Sequence, residues 1–306
     1  MHSKGDPHRV PALKGVATRF AGCQIEGMEH PVLARLVEAL RLVRGLAAIV
    51  LGGSRARGTA GPASDYDIGL YYEPDAPLDV AALQAAIAPL VDEPSSTVTR
   101  IGEWGPWING GGWLTLSGVE VDLLYRDLGR VREVIAEARQ GRFSMNYQTG
   151  HPHGFCSTIW MGEVAICQPL LDPSGHIAEL KGQTSPFPEA LRDALIARFG
   201  WEVGFAIENA ELAARRAEQM HVAGCAYRSL SCVAQVLFAL NGRYLINEKG
   251  ALTEAATHPL TIAGLANTQA DIWRDIGNAD HASALRRLHG VSDALRALVE
   301  QAGTKG

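Results

Sequence analysis

Residues 51–71 decide the fold of this chain, and they read LGGSRARGTAGPASDYDIGLY. The apolar residues 46–51 that lead into this stretch predict a buried strand. Gly52 and Gly53 then predict a sharp turn, in which backbone N–H groups can face an anion. Ser54 adds a hydroxyl donor at the predicted start of a short helix, whose first amides favour phosphate. The turn is therefore a candidate site for the outer phosphates of a nucleotide.

Two aspartates follow ten residues later, at alternate positions of a predicted strand over residues 64–72. Residues i and i+2 of a strand point to the same face, roughly 6–7 Å apart, so Asp65 and Asp67 should converge on one spot. Two carboxylates held that close repel each other unless a cation lies between them. Mg²⁺ prefers carboxylate oxygens together with phosphates and water, so this pair predicts a magnesium site.

A third carboxylate is expected from a neighbouring strand. Residues 113–125 predict two strand segments broken at Ser117 and Gly118, and Asp122 lies in the second segment between apolar residues. Burying an acid there without a partner costs several kcal/mol, so a charged group or a metal should face it. A two-metal site, with ions about 3.5–4 Å apart, needs such a ligand. Glu120 shares the face of Asp122 by parity and is a spare ligand or a supporting group.

The order Gly53-Ser54, Gly58, Ser64-Asp65-x-Asp67 and a later Asp122 resembles the DNA polymerase β-like nucleotidyltransferase superfamily, whose G-S-x(10)-D-x-D spacing is matched without a gap. The chain is most similar to bacterial two-domain members, such as the antibiotic adenylyltransferases and the toxin-type enzymes. The resemblance implies a nucleoside triphosphate co-substrate, ATP in the first instance, and two Mg²⁺ ions. It implies transfer of a nucleoside monophosphate, AMP, to a hydroxyl acceptor.

The resemblance also implies roles for individual residues. Asp65, Asp67 and Asp122 would bind the metals, and Asp122 would help to deprotonate the acceptor. The β and γ phosphates would lie on Gly53 and Ser54. Further contacts to the nucleotide would come from the basic residues Arg55, Arg57 and Lys249. Glu248, next to Lys249, is a candidate acceptor-side group, although an exposed charge pair at a helix end is an equally ordinary reading.

The expected architecture is an α/β (α+β) nucleotidyltransferase domain with a small mixed sheet, followed by an α-helical bundle. The predicted division is an N-terminal extension at 1–28, a catalytic domain at 29–141, a connector lining the cleft at 142–187, and a helical domain at 188–306. Helices are predicted at 31–44, 78–90, 128–140, 189–216, 220–240, 260–276 and 282–302, with a further strand at 98–101. The connector is predicted to contain some short strands.

Composition limits the functions that remain open. The formal net charge of the 306 residues is −5, and residues 189–306 carry 12 Lys+Arg against 13 Asp+Glu, so no broad polyanion-binding surface is expected. Five scattered cysteines, without a C-x-x-C pair, predict reduced thiols rather than zinc or redox sites. The first residues lack an apolar segment, which predicts a cytoplasmic protein without a membrane partner.

Three hypotheses follow from these features. The first is an enzyme that modifies a small molecule, for which an acidic cleft would suit a cationic acceptor. The second is a toxin-type enzyme that acts on tRNA or a protein, with a basic groove and strongly salt-dependent binding. The third is a non-catalytic nucleotide-binding module. The clustered acids argue against it, because a module that only binds a nucleotide has little need of them. The tryptophans of residues 104–113 are candidate acceptor contacts or, alternatively, residues of a glycine loop that cap the core. The loop histidines His151 and His153 are candidate cleft residues or ordinary surface groups.

Overall fold

The computed structural model describes residues 30–303, so the predicted N-terminal extension lies outside the described part. At the centre is a five-stranded mixed sheet with the strand order β3-β4-β2-β1-β7. Its strands are β1 (Ala48–Leu51), β2 (Tyr66–Tyr72), β3 (Gly111–Leu116), β4 (Val119–Asp127) and β7 (Gln168–Leu171). Only β2 and β4 run parallel; the other neighbours are antiparallel. A separate two-stranded ribbon contains β5 (Met145–Asn146) and β6 (Phe155–Cys156).

The two faces of the sheet have different environments, because successive side chains of a strand point to opposite sides. One face, with Ile49, Ile68 and Leu123, forms an apolar cluster with α1 (Pro31–Leu40) and α3 (Val80–Ile87). The opposite face carries Val50 and Tyr71, which belong to the larger cluster shared with the later helices. Asp67 and Asp122 lie on that second face, so the acidic residues face the helical part of the chain.

Local sequence signals explain how the elements begin and turn. Asp127 ends β4 and also caps α4 (Leu128–Ala138), since its carboxylate accepts a hydrogen bond from Arg130 N at 3.1 Å. Ser117 and Gly118 both have positive φ, 53° and 77°, as the tight hairpin between β3 and β4 requires. Asp92 accepts hydrogen bonds from both of their amides. The predicted break in residues 113–125 is thus confirmed as a hairpin turn.

The rest of the chain is mainly helical. Its helices are α2 (Gly53–Ala56), α5 (Thr158–Ile166), α6 (His176–Thr184), α7 (Glu189–Ala214), α8 (Gln219–Leu240), α9 (Ala251–Ala255), α10 (Leu265–Gly277) and α11 (His281–Gly303). One continuous buried cluster runs from the sheet through Trp160 and Ile177 to Phe199 and Leu237. The predicted α/β fold with a C-terminal helical region is confirmed.

One prediction of local structure was wrong, and a second was incomplete. Residues 98–101 form no strand; Val98 N is instead bound by the side chain of Gln84 at 2.9 Å. The predicted connector contains two helices and β7, which pairs with β1 in the main sheet. Residues 158–166 are apolar on nearly every side of the helix. Their sequence therefore has no periodicity from which a buried helix could be told apart from a buried strand.

α8 is long and apolar enough to cross a membrane, by length and composition. However, 67% of its most apolar window is buried inside the protein. It pairs with α7 and forms the centre of the helical region. These contacts are those of a core helix.

Candidate active site

Three carboxylates meet at the face of the sheet that points toward the helices. Asp67 and Asp122 are directly paired across the parallel strands β2 and β4, and Asp65 lies just before β2 begins. One oxygen of each carboxylate lies within 4.8 Å of the others. The structure thus brings together the three acids predicted as metal ligands, and within residues 30–303 they form the one acidic cluster with this geometry.

Asp65 is held in place by Arg55. The strand begins two residues later than predicted, at Tyr66, so strand alternation alone does not orient Asp65. The Arg55 guanidinium donates hydrogen bonds to the backbone carbonyls of Ser64 and Asp65, and its Cζ lies 3.7 Å from the centre of the Tyr66 ring. Arg55 is absent from the cavity wall. Its contacts are therefore those of a positioning residue, rather than the phosphate contact expected from the sequence.

The glycine-serine turn approaches the aspartates closely. Gly52 N donates a hydrogen bond to the Asp67 carbonyl at 2.7 Å, which ties the turn to β2. Gly53 has φ +59°, and a Cβ atom placed there would lie 1.7 Å from Asp67 Oδ2. Gly53 is thus required because the carboxylate of Asp67 occupies the space of a side chain. The amides that open α2 have no intrahelical acceptor, as in the first turn of any helix.

Replacing Gly53 with alanine is expected to displace the Asp67 carboxylate and to lower activity strongly. Gly58→Ala is a matched control, since Gly58 has φ +71° but nothing within 4 Å of the added Cβ. Both variants carry the strain of a left-handed residue, about 1–2 kcal/mol. Only Gly53→Ala should also impair catalysis, measured as kcat/KM for the nucleotidyl transfer that the sequence leads us to expect. Equal losses in the two variants would contradict the close-approach argument.

A cavity of about 840 Å³ opens over the three aspartates. Ser54 and Arg57 line it from the catalytic part, whereas Lys249 and Asn247 line it from the segment after α8. Residues of the predicted connector also line it, namely His151, Phe155, Ile159, Glu163 and Cys167. The volume is in the range of small-molecule sites, about 300–1,000 Å³. The predicted nucleotide residues Ser54, Arg57 and Lys249 therefore share one cavity with the acids.

An ion pair links Arg57, at the cavity wall, to the helical part of the chain. Arg57 Nη1 lies 2.9 Å from Glu254 Oε2 on α9. Both side chains are partly exposed, so the pair contributes at most about 1 kcal/mol to stability. The pair also fixes the position of the Arg57 side chain at the cavity wall beside Ser54.

The electrostatics of the site favour a bound cation. Burial, followed by the nearby carboxylates of Asp65 and Glu163, raises the pKa of Asp67 to about 6, although Arg126 and Arg57 oppose the shift. Burial and the carboxylates of Asp65, Asp67 and Glu120 raise the pKa of Asp122 to about 6. Three acids at this separation repel one another in their charged forms. An all-oxygen donor set of this kind fits Mg²⁺, which would relieve that repulsion.

Sequence reasoning missed the ion pair beside Asp67. Arg126 of β4 is almost completely buried, with a side-chain exposure of 4%, and makes two hydrogen bonds of 2.7 Å to Glu163 on α5. Arg126 has the same strand parity as Asp122, which is the signal that could have placed it on the site face. Glu163 gave no such signal, since its helix was not predicted.

The histidine loop forms a second polar group near the cavity. His151 Nδ1 lies 3.1 Å from Glu248 Oε2, and Glu248 Oε1 accepts a hydrogen bond from His153 N. Burial tends to raise the pKa of Glu248, but the hydrogen bond from His151 holds it below its usual value. A carboxylate with a lowered pKa is a weak base. Glu248 therefore fits a structural role in this loop better than the acceptor-side role considered from the sequence.

His153 is buried and neutral. Burial, together with the neighbouring Arg228 guanidinium, lowers the pKa of His153 to about 4. Arg228 itself is engaged by Glu202 and by the His153 carbonyl. These contacts connect the histidine loop to α7 and α8.

Comparison with known proteins defines the class of this site. Residues 33–140 match the family model of the nucleotidyltransferase domain, and the match contains the glycine-serine turn and all three aspartates. No match was found among curated proteins. The chain also aligns with a solved nucleotidyltransferase-like protein from Exiguobacterium sibiricum 255-15, at a TM-score of 0.39 and 12% identity, over 87% of this chain and 73% of that one. Residues 33–140 thus form a nucleotidyltransferase domain, which supports a nucleotidyltransferase enzyme.

Proposed function

We propose that this enzyme transfers AMP from ATP to a hydroxyl group of a small molecule, with Mg²⁺ bound by Asp65, Asp67 and Asp122. The observation that carries the proposal is the group of three carboxylates within 4.8 Å, beside a glycine-serine turn in one cavity. When bound, divalent cations at such a site would offset negative charge on the attacking and leaving oxygens. The residues of the chain would position the two substrates around that point.

The sheet order supports a placement of the two substrates on opposite sides of the aspartates. The turn at Gly53 and Ser54 follows β1, and Asp122 lies two strands away on β4. The triphosphate would lie on the turn, with Arg57 beside it and Lys249 across the cavity from it. The acceptor would approach from the side of Asp122, which would take the proton of its hydroxyl. The acceptor oxygen would then bond to the α-phosphorus as the bond to the pyrophosphate oxygen breaks.

The charge of the cavity wall favours a small, cationic acceptor over a nucleic acid. Its acids are Asp65, Asp67, Glu120, Asp122 and Glu163, and its permanent cations are Arg57, Arg126 and Lys249. Five acids against three cations leave a net charge of −2 before any metal is bound. Bound metals would offset Asp65, Asp67 and Asp122, and Glu163 pairs with Arg126, which leaves Glu120 as the acid that would attract a cationic acceptor. The alternative acceptors, tRNA and protein, and a purely nucleotide-binding role therefore rank lower.

Label transfer tests the proposal directly. The protein is incubated with Mg²⁺, a cell extract and each α-labelled nucleoside triphosphate in turn, and the small-molecule, RNA and protein fractions are separated. We expect label from ATP in the small-molecule fraction, little dependence on salt, and none with Asp122→Asn. Label in RNA or protein would contradict the acceptor assignment. Nucleotide binding without transfer would contradict the enzymatic proposal.

Replacing Ser54 with alanine is expected to weaken nucleotide binding. A hydrogen bond to a charged group contributes about 1.5–3 kcal/mol, so the Kd for a non-hydrolysable ATP analogue should rise about 10- to 150-fold. Titration calorimetry in the presence of Mg²⁺ measures the change. Ser95→Ala is the control, because Ser95 is exposed and outside the cavity wall. An unchanged Kd for Ser54→Ala would mean that the turn serves the fold alone.

A further inference from the structure

An exposed tryptophan lies directly beside the third aspartate. Trp113 of β3 is the antiparallel register partner of Asp122 on β4. Directly opposed residues of neighbouring strands point to the same face, with Cβ atoms about 4.5–5.5 Å apart. The indole of Trp113 therefore emerges on the face that carries the acids, yet 70% of the residue is exposed. A large apolar surface is thus open to solvent next to the site.

A second indole fixes the orientation of the first. The rings of Trp104 and Trp113 are stacked, with centroids 4.5 Å apart and an interplanar angle of 22°. The loop that carries Trp104 is held by Gln148, whose side chain donates to the Trp104 carbonyl at 2.9 Å and accepts from Ile108 N. Gln148 is itself buried, with 5% exposure. The stacked pair, called here the tryptophan platform, is therefore a supported surface.

The strand order places this platform on the acceptor side. Along the sheet, the aspartates of β2 and β4 lie between β1, which leads into the phosphate-binding turn, and β3, which carries Trp113. If the triphosphate occupies the turn, as the proposed function requires, the opposite side of the aspartates is left for the acceptor.

The charge beside the platform indicates what it would accept. Glu120 shares a strand face with Asp122, is exposed and lines the cavity. Within residues 30–303, no Lys, Arg or His forms an ion pair with it. An indole face binds the apolar face of a ring and attracts a cation. Platforms for single-stranded nucleic acid combine aromatic rings with a positive groove, whereas acids are the neighbours here.

We propose that the tryptophan platform and Glu120 form the acceptor subsite, and that they select a hydroxylated ring that carries a protonated amine. The ring lies on Trp113, and the ammonium group pairs with Glu120. A hydroxyl of the ring then lies toward Asp122. This inference rests on the proposed function for the direction of approach, but the binding of a cationic ring can be measured without any reaction.

The test uses the full chain labelled with 5-fluorotryptophan, whose six tryptophans give separate ¹⁹F signals. Trp113→Phe assigns the signal of interest. The probes are methyl 2-amino-2-deoxyglucoside, the neutral methyl glucoside and uridine monophosphate. We expect the amino sugar to shift the Trp113 signal and to bind about tenfold more tightly than the neutral sugar. A response to uridine monophosphate alone would overturn the proposal in favour of a base-binding surface.

Variants separate the contributions of ring and charge. Trp113→Ala should weaken amino-sugar binding about tenfold, and Glu120→Gln should reduce it to the level of the neutral sugar. Trp201→Ala is the matched control, since Trp201 is 59% exposed and stacked on Phe205 but lies on α7 rather than opposite Asp122 in the sheet. Binding is measured by saturation-transfer NMR, which does not need the ¹⁹F signal. Amino-sugar binding that is equal in wild type and Trp113→Ala would overturn the proposal.

Failure of this inference is distinguishable from failure of the proposed function. The second is tested by ATP binding and label transfer, which do not involve the sugar probes. If label transfer is observed but amino-sugar binding is unchanged in Trp113→Ala, only the subsite proposal is overturned. Because Trp113 is exposed, its replacement should leave the thermal unfolding midpoint unchanged, and Trp113→Phe provides a variant that keeps an aromatic face.

Discussion

Replacing Asp67 with asparagine is expected to lower the rate of nucleotidyl transfer by about a thousandfold or more. The carboxylate lies at the centre of the acidic cluster, beside both Gly53 and Asp122. A divalent cation at such a site supplies several kcal/mol of charge stabilisation, and each 1.36 kcal/mol corresponds to a factor of ten in rate. Single-turnover label transfer from ATP measures the loss. Asp75→Asn, in an exposed turn, is the control and should be fully active.

The same substitution should raise the stability of the metal-free protein, although it lowers the rate. The pKa of Asp67 is raised on folding from 3.8 to about 6, because burial and neighbouring acids disfavour its charged form. The folded state therefore binds more protons than the unfolded state between these two values, and stability falls as pH rises through that window. Above pH 6 the Asp67 carboxyl is charged in both the folded and the unfolded state, so the full loss of stability caused by its raised pKa is present. Asparagine carries no charge and removes this loss.

Thermal unfolding in EDTA at pH 5 and pH 7.5 tests this relation. Asp67→Asn should have the higher midpoint at pH 7.5, and the difference should shrink at pH 5, where the wild-type carboxyl is largely protonated. Mg²⁺ should raise the wild-type midpoint at pH 7.5 more than that of the variant, because a cation stabilises only the folded state that binds it. If the wild-type protein were more stable than the variant in EDTA at pH 7.5, burial and repulsion would not destabilise the charged Asp67 carboxylate, and the argument would be contradicted.

The acidic cluster could be predicted because local rules determine most of it. Strand alternation placed Asp67 and Asp122 on the same side of their strands, and parallel pairing of β2 with β4 then put them next to each other. The role of Gly53 was only partly predictable. A turn glycine suggested contact with phosphate, whereas the closeness of Asp67 Oδ2 depends on how β1 and β2 pair.

Contacts that depend on tertiary structure could not be predicted. The direction of the Arg55 side chain follows from two backbone carbonyls and the Tyr66 ring, none of which a charge pattern identifies. The ion pair of Arg126 with Glu163 joins a strand to a helix whose apolar sequence carries no period. The missed strand β7 pairs with β1, which lies far away in the sequence.

The largest expected loss of stability comes from breaking that missed ion pair. Arg126 has a side-chain exposure of 4%, so removal of Glu163 leaves a buried guanidinium without its carboxylate. Breaking one side of a buried pair destabilises a protein by about 3–5 kcal/mol. Glu163→Ala should show this loss as a lower midpoint in urea unfolding, analysed with a common m-value.

Glu73→Ala provides a matched comparison on the same fold. Glu73 also makes two hydrogen bonds to an arginine, Arg132, at 2.7 and 2.8 Å, but the Arg132 side chain is 38% exposed. Solvent can replace the lost carboxylate there, so the expected loss is under about 1 kcal/mol. Equal losses for the two variants would contradict the dependence on burial. The double variant Arg126→Met with Glu163→Ala should recover much of the stability but not the activity, because it removes the cation that faces Asp67.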